Sequence, residues 1–285
     1  MSAEIYYFSG TGNSFYIAKE LQKRIPDSVL IPIASLLHEK NIRTKGEIVG
    51  FVFPVHALTI PIAVKKFMNK LNMESAEYVF SVATRLGMRF NGFNKVDKIL
   101  KKKNKSLDSY FVLNMCNNDV KGENYSCPTN EDILKMESGI QEQLRKIQEY
   151  ILSRMVYREV DEDYLEDLPY SKPVNIMMEK LVIGLLDFSE HIGGVNYFYT
   201  DLKCNGCGVC EKVCLSSKVK MLDKKPDWQK DVLCYMCYAC INYCPKQSVQ
   251  IKSIPGLKSY TEKNDRYSHP YASIQDIENE KKSEQ

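Results

Sequence analysis

The chain has 285 residues, of which 44% are hydrophobic and 26% are charged. This composition excludes a disordered chain, a collagen and a coiled coil, and the length allows one large domain or two ordinary ones. The net charge of +3 comes from 39 basic and 36 acidic residues, and it creates no field that implies a nucleic-acid partner. The longest apolar stretch, residues 51–64, contains two prolines and is shorter than the roughly 20 residues of a membrane span.

Up to about residue 155, short β-rich segments alternate with helical patterns. This alternation is typical of βαβ units and predicts a parallel sheet with helices on both faces. The predicted strands are Glu4 to Phe8, Ser28 to Ile33, Ile48 to Phe53, Glu77 to Ala83 and Ser106 to Met115. The predicted helices are Ser14 to Lys23, Pro61 to Leu71 and Phe93 to Lys103, with a short helical turn near Ser35 to Glu39.

A longer helix closes this predicted first domain, residues 1–155. Thr129 and Asp132 have the spacing of a capping box, which marks the start of a helix. Apolar residues then recur at helical spacing, at Ile140, Leu144, Ile147 and Ile151.

The turn between the first strand and the first helix, here called the glycine turn, is rich in glycine and hydroxyl groups. It comprises Ser9, Gly10, Thr11, Gly12, Asn13 and Ser14. Backbone N–H groups and the positive end of the helix dipole converge at such a turn and favour an anion. The turn lacks the lysine of a P-loop and the third glycine of a dinucleotide fingerprint. A neutral, hydroxyl-rich turn is suited to a phosphate monoester.

The pattern Ser/Thr-x-Thr-Gly-x-Ser/Thr resembles the phosphate loop of flavodoxins, which bind FMN. The resemblance covers roughly the first 155 residues and implies an α/β, doubly wound parallel sheet with strand order 2-1-3-4-5. It also implies that the loops after the third and fourth strands flank the flavin ring. The residues expected there are Pro54, Val55, His56 and Ala57, then Thr84, Arg85, Leu86 and Gly87. Neither loop has the Trp or Tyr that commonly stacks on the flavin.

Residues 156–195 join an acidic stretch and two prolines to an apolar segment, Met177 to Phe188. We predict a linker followed by a packing helix. Asp187 and Glu190 argue against insertion of this helix into a membrane.

Eight of the ten cysteines lie between Cys204 and Cys244, in the pattern C-x2-C-x2-C-x3-C repeated thirty residues later. Three closely spaced thiolates wrap one corner of an iron–sulfur cube. Zinc is a less favoured alternative because its sites usually pair CxxC motifs across a longer loop. Disulfides are disfavoured in a reducing cytosol.

Residues 196–256 resemble a small α+β, bacterial-type ferredoxin with two [4Fe-4S] clusters. In that pattern the fourth cysteine of each motif binds the other cluster. The expected ligands of the first cluster are Cys204, Cys207, Cys210 and Cys244. The expected ligands of the second cluster are Cys234, Cys237, Cys240 and Cys214.

Three further expectations concern residues outside these motifs. Cys116 and Cys127 have no spaced partner and are expected to be buried free thiols. Trp228, between the two motifs, is expected to be a packing residue. The polar tail, residues 257–285, lacks a core pattern and is expected to be disordered or loosely attached.

The two resemblances together indicate the flavodoxin and ferredoxin fusion proteins of anaerobes. They imply a cytoplasmic protein that relays electrons between two [4Fe-4S] clusters and FMN and exchanges them with a protein redox partner of the ferredoxin type. The chain starts without a secretory signal, which agrees with the cytoplasm. One alternative is an FMN-dependent reductase of a small organic substrate, with His56 as a candidate catalytic group. Another is a redox sensor that uses only the clusters.

Overall fold

The computed structural model describes residues 2–56, 58–87, 90, 92–158, 198–253 and 258–282, together with four helical positions between them, Val174, Met177, Leu181 and Gly184. Apart from those positions and residues 156–158, the predicted linker and packing helix lie outside the described residues. Within the described part of the chain, no helix combines the length and apolarity of a membrane span.

A six-stranded sheet forms the N-terminal half, and all of its neighbouring strands are parallel. Its strands are β1 (Ala3–Tyr7), β2 (Ser28–Pro32), β3 (Ile48–Pro54), β4 (Tyr78–Arg85), β5 (Ser109–Asn114) and β6 (Tyr157–Arg158). The order is β2-β1-β3-β4-β5-β6. The first five strands therefore have the predicted flavodoxin-like order.

The sixth strand is a correction to the predicted sheet, which ended with β5. Tyr157 lies beyond the predicted boundary at residue 155, and its ring stacks on Phe111 of β5 with centroids 5.3 Å apart. The backbone N–H of Tyr157 donates to the carbonyl of Asp108. A strand of two residues has too little alternation to be recognised in the sequence.

Helices cover both faces of the sheet. They are α1 (Asn13–Arg24), α2 (Ile33–Leu36), α3 (Ile62–Lys70), α4 (Gly92–Lys101) and α5 (Asn130–Leu152). Side chains alternate between the two faces of β1. Ile5 and Tyr7 join the core with α1 and α5, whereas Tyr6 and Phe8, the residue after β1, join the core with α3 and α4. A short parallel pair, Ile42–Arg43 with Leu71–Asn72, lies outside this sheet.

The structure confirms the predicted start and buried face of α5. The backbone N–H of Asp132 donates to Thr129 Oγ1 at 3.2 Å, and the backbone N–H of Thr129 donates to Asp132 Oδ2 at 2.9 Å. These two hydrogen bonds form the capping box. The four apolar positions predicted to face the core are all buried: Ile140, Leu144, Ile147 and Ile151.

The cysteine-rich half consists of short elements. Its strands are β7 (Phe198–Thr200), β8 (Val219–Leu222), β9 (Lys225–Trp228) and β10 (Val249–Ile251). Its helices are α6 (Val209–Lys212), α7 (Ala239–Asn242) and α8 (Ile274–Asn279). The strands form two antiparallel pairs, β7 with β10 and β8 with β9. Trp228 stacks on Phe198 at 5.9 Å, as expected of a packing residue.

The expectation of a loosely attached tail is wrong for residues 258–282. Tyr267, Ala272 and Ile277 are buried, and Ile277 has no exposed surface. Ile277 shares a hydrophobic cluster with Phe8, the residue that follows β1. The only regular element of this tail is α8, which has six residues and is too short to show a helical period in the sequence.

Candidate functional site

The cysteines of the two motifs lie in two neighbouring groups of four. The first cysteine group is Cys204, Cys207, Cys210 and Cys244, and these four line one small pocket. The second cysteine group is Cys214, Cys234, Cys237 and Cys240, in which the Cys240 thiol interacts electrostatically with the other three. In each group the fourth cysteine comes from the other motif, which is the grouping that the sequence predicts. Their role as cluster ligands stays a prediction.

The two motifs share a backbone conformation as well as a spacing. Gly208 precedes α6 with φ of 77°, and its counterpart Tyr238 precedes α7 with φ of 59°. Both are left-handed, which is uncommon for a residue other than glycine. Tyr238 keeps this conformation although it costs free energy, so the loop shape is imposed by its surroundings.

Backbone N–H groups point at several of the thiol sulfurs. Val219 N–H donates to Cys214 Sγ at 3.4 Å, Met236 N–H to Cys234 Sγ at 3.4 Å, and Ser248 N–H to Cys244 Sγ at 3.3 Å. Hydrogen bonds to ligand sulfur are one of the means by which proteins set the potential of an iron–sulfur cluster.

Burial makes four of these thiols, Cys210, Cys234, Cys237 and Cys240, hard to ionise because it raises their pKa. It raises the pKa of Cys210 to about 12 and that of Cys234 to about 11. The pKa of Cys244 is lowered, because hydrogen bonds from Ser248 outweigh the opposing effect of burial. A bound metal centre deprotonates coordinating thiols outright, so a cationic centre in each group would offset the cost of burying thiolates.

Both groups offer four thiols as the donor set. Among the residues that the structure describes, no three His, Cys, Asp or Glu side chains converge tightly enough to hold one metal ion. In a cubane each thiolate binds a different iron, so the ligands surround a cavity instead of meeting at a point. All ten cysteines are free thiols, and four of them line a cavity. The residues present therefore fit a [4Fe-4S] cluster.

Two cations, one buried and one part-buried, lie beside the cysteine groups, and the sequence did not single them out. Lys218 is 2% exposed and donates from Nζ to the carbonyl oxygens of Gln229 at 2.5 Å and Val232 at 2.6 Å. Arg266 is part-buried and interacts electrostatically with Cys244. Lys218 follows Cys214 by four residues, but only the tertiary structure shows that its side chain is buried.

The glycine turn lies at the carboxyl edge of the sheet, as predicted, next to the ends of β3 and β4. Ser14 Oγ lies 2.8 Å from Thr84 Oγ1. Val55 N–H donates to the carbonyl oxygen of Thr84 at 2.8 Å, and Pro54 pairs with Thr84 in the sheet. The structure thus brings Ser14, Pro54, Val55 and Thr84 together.

The other residues expected beside a flavin are less closely gathered. His56 and Thr59 exchange backbone hydrogen bonds, and burial lowers the pKa of the His56 imidazole to about 4. Arg85 Nε donates to Asn114 Oδ1, while Leu86 is half exposed and Gly87 is exposed. Ala57 lies outside the described residues.

The protein's own chain covers the glycine turn. Ser9, Thr11 and Ser14 are at most 2% exposed. A Cβ on Gly10 would overlap the carbonyl oxygen of Cys237, and a Cβ on Gly12 would overlap the Cβ of Ala272. The absence of side chains at these two glycines therefore allows the second cysteine motif and the tail to pack against the turn.

Polar groups of the turn also have partners within the chain. Ser9 N–H donates to Glu280 Oε2 at 3.2 Å, and His269 N–H donates to the carbonyl oxygen of Thr11 at 2.8 Å. The Tyr267 hydroxyl donates to Asn13 Oδ1 at 3.0 Å. As the chain is folded here, the residues around the turn do not fit an FMN phosphate.

An aromatic ring that the sequence analysis missed lies near this edge of the sheet. Tyr235, between Cys234 and Cys237, contacts Phe8 edge-on, with ring centroids 6.2 Å apart. His56 lies on Phe8 in a similar geometry, also at 6.2 Å. No local pattern connects Tyr235 with β1, because more than two hundred residues separate them.

The two remaining thiols are half-buried, which corrects the expectation of buried ones. Cys116 lies beside Tyr267, and its carbonyl oxygen accepts a hydrogen bond from Asn13 Nδ2 at 3.0 Å. Cys127 Sγ donates to the carbonyl oxygen of Arg266 at 3.5 Å. Both lie in segments whose burial is set by the packed tail, so their sequence neighbours could not indicate it.

Comparison with known proteins gives structural neighbours that cover about half of this chain, the N-terminal half. A flavoprotein from Bacteroides uniformis is 14% identical, with 49% of this chain and 97% of that chain covered and a TM-score of 0.33. A flavodoxin from the domain Archaea is 13% identical, with 51% and 99% covered and a TM-score of 0.32. An FMN-dependent NADH-azoreductase from Bacillus anthracis is 10% identical, with 52% and 100% covered and a TM-score of 0.33. No protein-family model and no curated protein matches the chain.

Proposed function

We propose that this chain is an electron-transfer protein that binds two [4Fe-4S] clusters in its C-terminal half and exchanges electrons with a protein redox partner. The observation that carries the proposal is the arrangement of eight free thiols in two neighbouring groups of four, each with one cysteine from the other motif. The ten free thiols suit a reducing compartment, and we propose the cytoplasm.

When bound, a [4Fe-4S] cluster supplies one-electron redox chemistry at a potential that its surroundings set. The chain's own residues would hold the clusters and exclude water from them. Val213 and Ile241 have no exposed surface and lie one residue from Cys214 and Cys240. The buried charge of Lys218 lies near the second group, where it would stabilise an added electron.

The partner would meet the first cysteine group. Cys207 is the only exposed cysteine of the eight, and Leu202 nearby in the chain is fully exposed. The second group faces inward, because the carbonyl of Cys237 packs against Gly10. We therefore propose that electrons enter or leave through the first group and that the second group faces the carboxyl edge of the sheet.

Anaerobic purification followed by iron and sulfide analysis tests this function. We expect about eight iron and eight sulfide per chain. Cys207→Ala should lose about half of the iron, because it removes a ligand of one cluster from an exposed position. The matched control, Cys127→Ala, removes a half-buried thiol that belongs to neither group and should keep all of the iron.

The crossed grouping has its own test by electron paramagnetic resonance of the reduced protein. Cys207→Ala and Cys244→Ala should leave the same remaining spectrum, because both cysteines belong to the first group. Cys237→Ala removes a cysteine of the second group, so it should leave the spectrum of the cluster in the first group. Zinc in place of iron, or full iron content in Cys207→Ala, would contradict the proposed function.

FMN binding by the glycine turn is a separate part of the proposal. The hydroxyl-rich residues of the turn and its place between β1 and α1 support it. The packing of the tail opposes it, so we derive no electron-transfer step through FMN. Flavin released from the purified protein and quantified by fluorescence shows whether FMN is retained.

A further inference from the structure

The tail folds back onto the glycine turn through a run of contacts made by residues 267–282, here called the C-terminal segment. Three contacts are hydrogen bonds to successive parts of the turn: Glu280 with Ser9, His269 with Thr11 and Tyr267 with Asn13. A fourth is the packing of Ala272 against Gly12. The segment thus follows the turn along most of its length.

Glu280 places a buried carboxyl group against the first residue of the turn. Its side chain has no exposed surface, and its Oε2 accepts the backbone N–H of Ser9 at 3.2 Å. Among the described residues, its Oε1 has no hydrogen-bond partner. Burial raises the pKa of this carboxyl group well above its usual value, so Glu280 fills the site as a group that is hard to ionise.

Several apolar and aromatic contacts hold the segment in place. Ile277 is fully buried in the core cluster that includes Phe8. The ring of His269 stacks on Tyr16 of α1 with centroids 4.4 Å apart. The Tyr243 hydroxyl donates to the carbonyl oxygen of Ala272 at 2.9 Å. Release of the segment therefore requires exposure of Ile277 and loss of the Tyr16 stack.

We propose that the C-terminal segment is an internal occupant of the glycine turn, with the Glu280 side chain held against Ser9, and that FMN binds only to molecules from which the segment has withdrawn. The proposal rests on the FMN part of the proposed function and is independent of the clusters. Because only the open fraction of molecules binds, the apparent affinity for FMN is lowered by that fraction. Anything that releases the segment therefore raises the affinity.

The test compares two variants of α8 in the full chain. Ile277→Asp places a charge in the core and releases the segment, whereas Gln275→Asp places the same charge at an exposed position of the same helix. Titration with FMN should show an affinity gain of about tenfold or more for Ile277→Asp and none for Gln275→Asp. Riboflavin, which lacks the phosphate, should bind each variant more weakly than FMN does.

A second variant guards against misfolding of Ile277→Asp. Glu280→Ala removes the carboxylate without a new charge in the core, and it should also bind FMN more tightly than the unmodified chain. Hydrogen exchange of residues 267–282 should be slow in the unmodified chain and should quicken when FMN is added. Iron content, measured on the same samples, should be unchanged.

Two results would overturn the proposal. One is tight, equimolar FMN binding by the unmodified chain while residues 267–282 stay protected from exchange. The other is rapid exchange of the segment in the variants with no gain in FMN affinity, which would make the turn a structural cradle for the tail. A lack of iron would contradict the clusters alone, so the two failures are distinguishable.

Discussion

Glu20 is a buried charge that joins two helices on one face of the sheet. It is 8% exposed and accepts hydrogen bonds from Lys23 Nζ at 2.6 Å and Arg24 Nη1 at 2.7 Å. Gln141 of α5 donates to the same carboxylate at 3.2 Å. Burial alone would raise the pKa of Glu20, but the hydrogen bonds from Lys23 and Arg24 outweigh it and lower the pKa to about 2.

We predict that Glu20 contributes to stability in a pH-dependent way. Its pKa is lower in the folded chain than the ordinary 4.5, so its contribution is complete above pH 4.5 and is lost as the pH falls towards 2. Glu20→Gln should lower the free energy of unfolding at pH 7 by about 1–3 kcal/mol, because charge-assisted hydrogen bonds are weakened. Urea unfolding measured between pH 3 and pH 7 checks this.

The control for Glu20 is Glu142→Gln, which removes an exposed carboxylate paired with Arg145 on α5. Exposed ion pairs contribute little, so this variant should unfold at nearly the same urea concentration as the unmodified chain. An equal loss of stability in both variants, or a loss in Glu20→Gln that does not shrink at low pH, would contradict the prediction.

At the scale of elements, α5 is the helix that closes the sheet. It has 23 residues and packs its apolar face on the core that includes β1, β4 and β5. The backbone N–H groups of its first turn have no acceptors within the helix. The capping box supplies acceptors for two backbone N–H groups at this end, those of Thr129 and Asp132.

Loss of this cap should destabilise the N-terminal half. Thr129→Ala is predicted to lower the free energy of unfolding by about 1 kcal/mol, the usual cost of losing an N-cap hydroxyl. Thr129→Ser keeps a hydroxyl at the same position and should retain most of the stability. Thermal unfolding followed by circular dichroism measures both, and an equal loss in the two variants would exclude the hydrogen bond as the cause.

At the scale of the whole molecule, the two halves share one buried core. Leu215 and Tyr243 of the cysteine-rich half lie in the same cluster as Phe53 of β3 and Phe67 of α3. An apolar core that crosses between two halves couples their unfolding, because neither half can open without exposing part of it.

We therefore predict a single unfolding transition. Trp228 is the only tryptophan and reports on the cysteine-rich half, whereas the far-ultraviolet circular dichroism reports mainly on the helices of the N-terminal half. The two signals should change at the same urea concentration. Leu215→Ala, which creates a cavity in the shared core, should shift both signals together at a cost of about 2–5 kcal/mol.

The matched control is Leu222→Ala, at a position that is 58% exposed, and it should shift neither signal. Separate transitions for the fluorescence and the circular dichroism, or a shift of only one signal in Leu215→Ala, would show that the halves unfold independently.

Local features of the sequence determined the first five strands, the start of α5 and the duplication of the cysteine motif, whereas the order of the strands followed from the resemblance to flavodoxins. Each depends on residues close together in the chain: alternation along a strand, the spacing of Thr129 and Asp132, and the gaps between cysteines. The same patterns placed the glycine turn at the carboxyl edge of the sheet, because a turn that follows a parallel strand must lie there.

Only the tertiary structure decided what surrounds that turn. Ser9 and Glu280 are 271 residues apart, and Phe8 meets Tyr235 across the two halves. The sequence pattern predicted that a phosphate binds beside Gly10 and Gly12. In the folded chain Cys237 packs against Gly10 and Ala272 packs against Gly12. Contacts between distant residues leave no period or spacing in the sequence, since they depend on how complete surfaces fit once the local elements have formed.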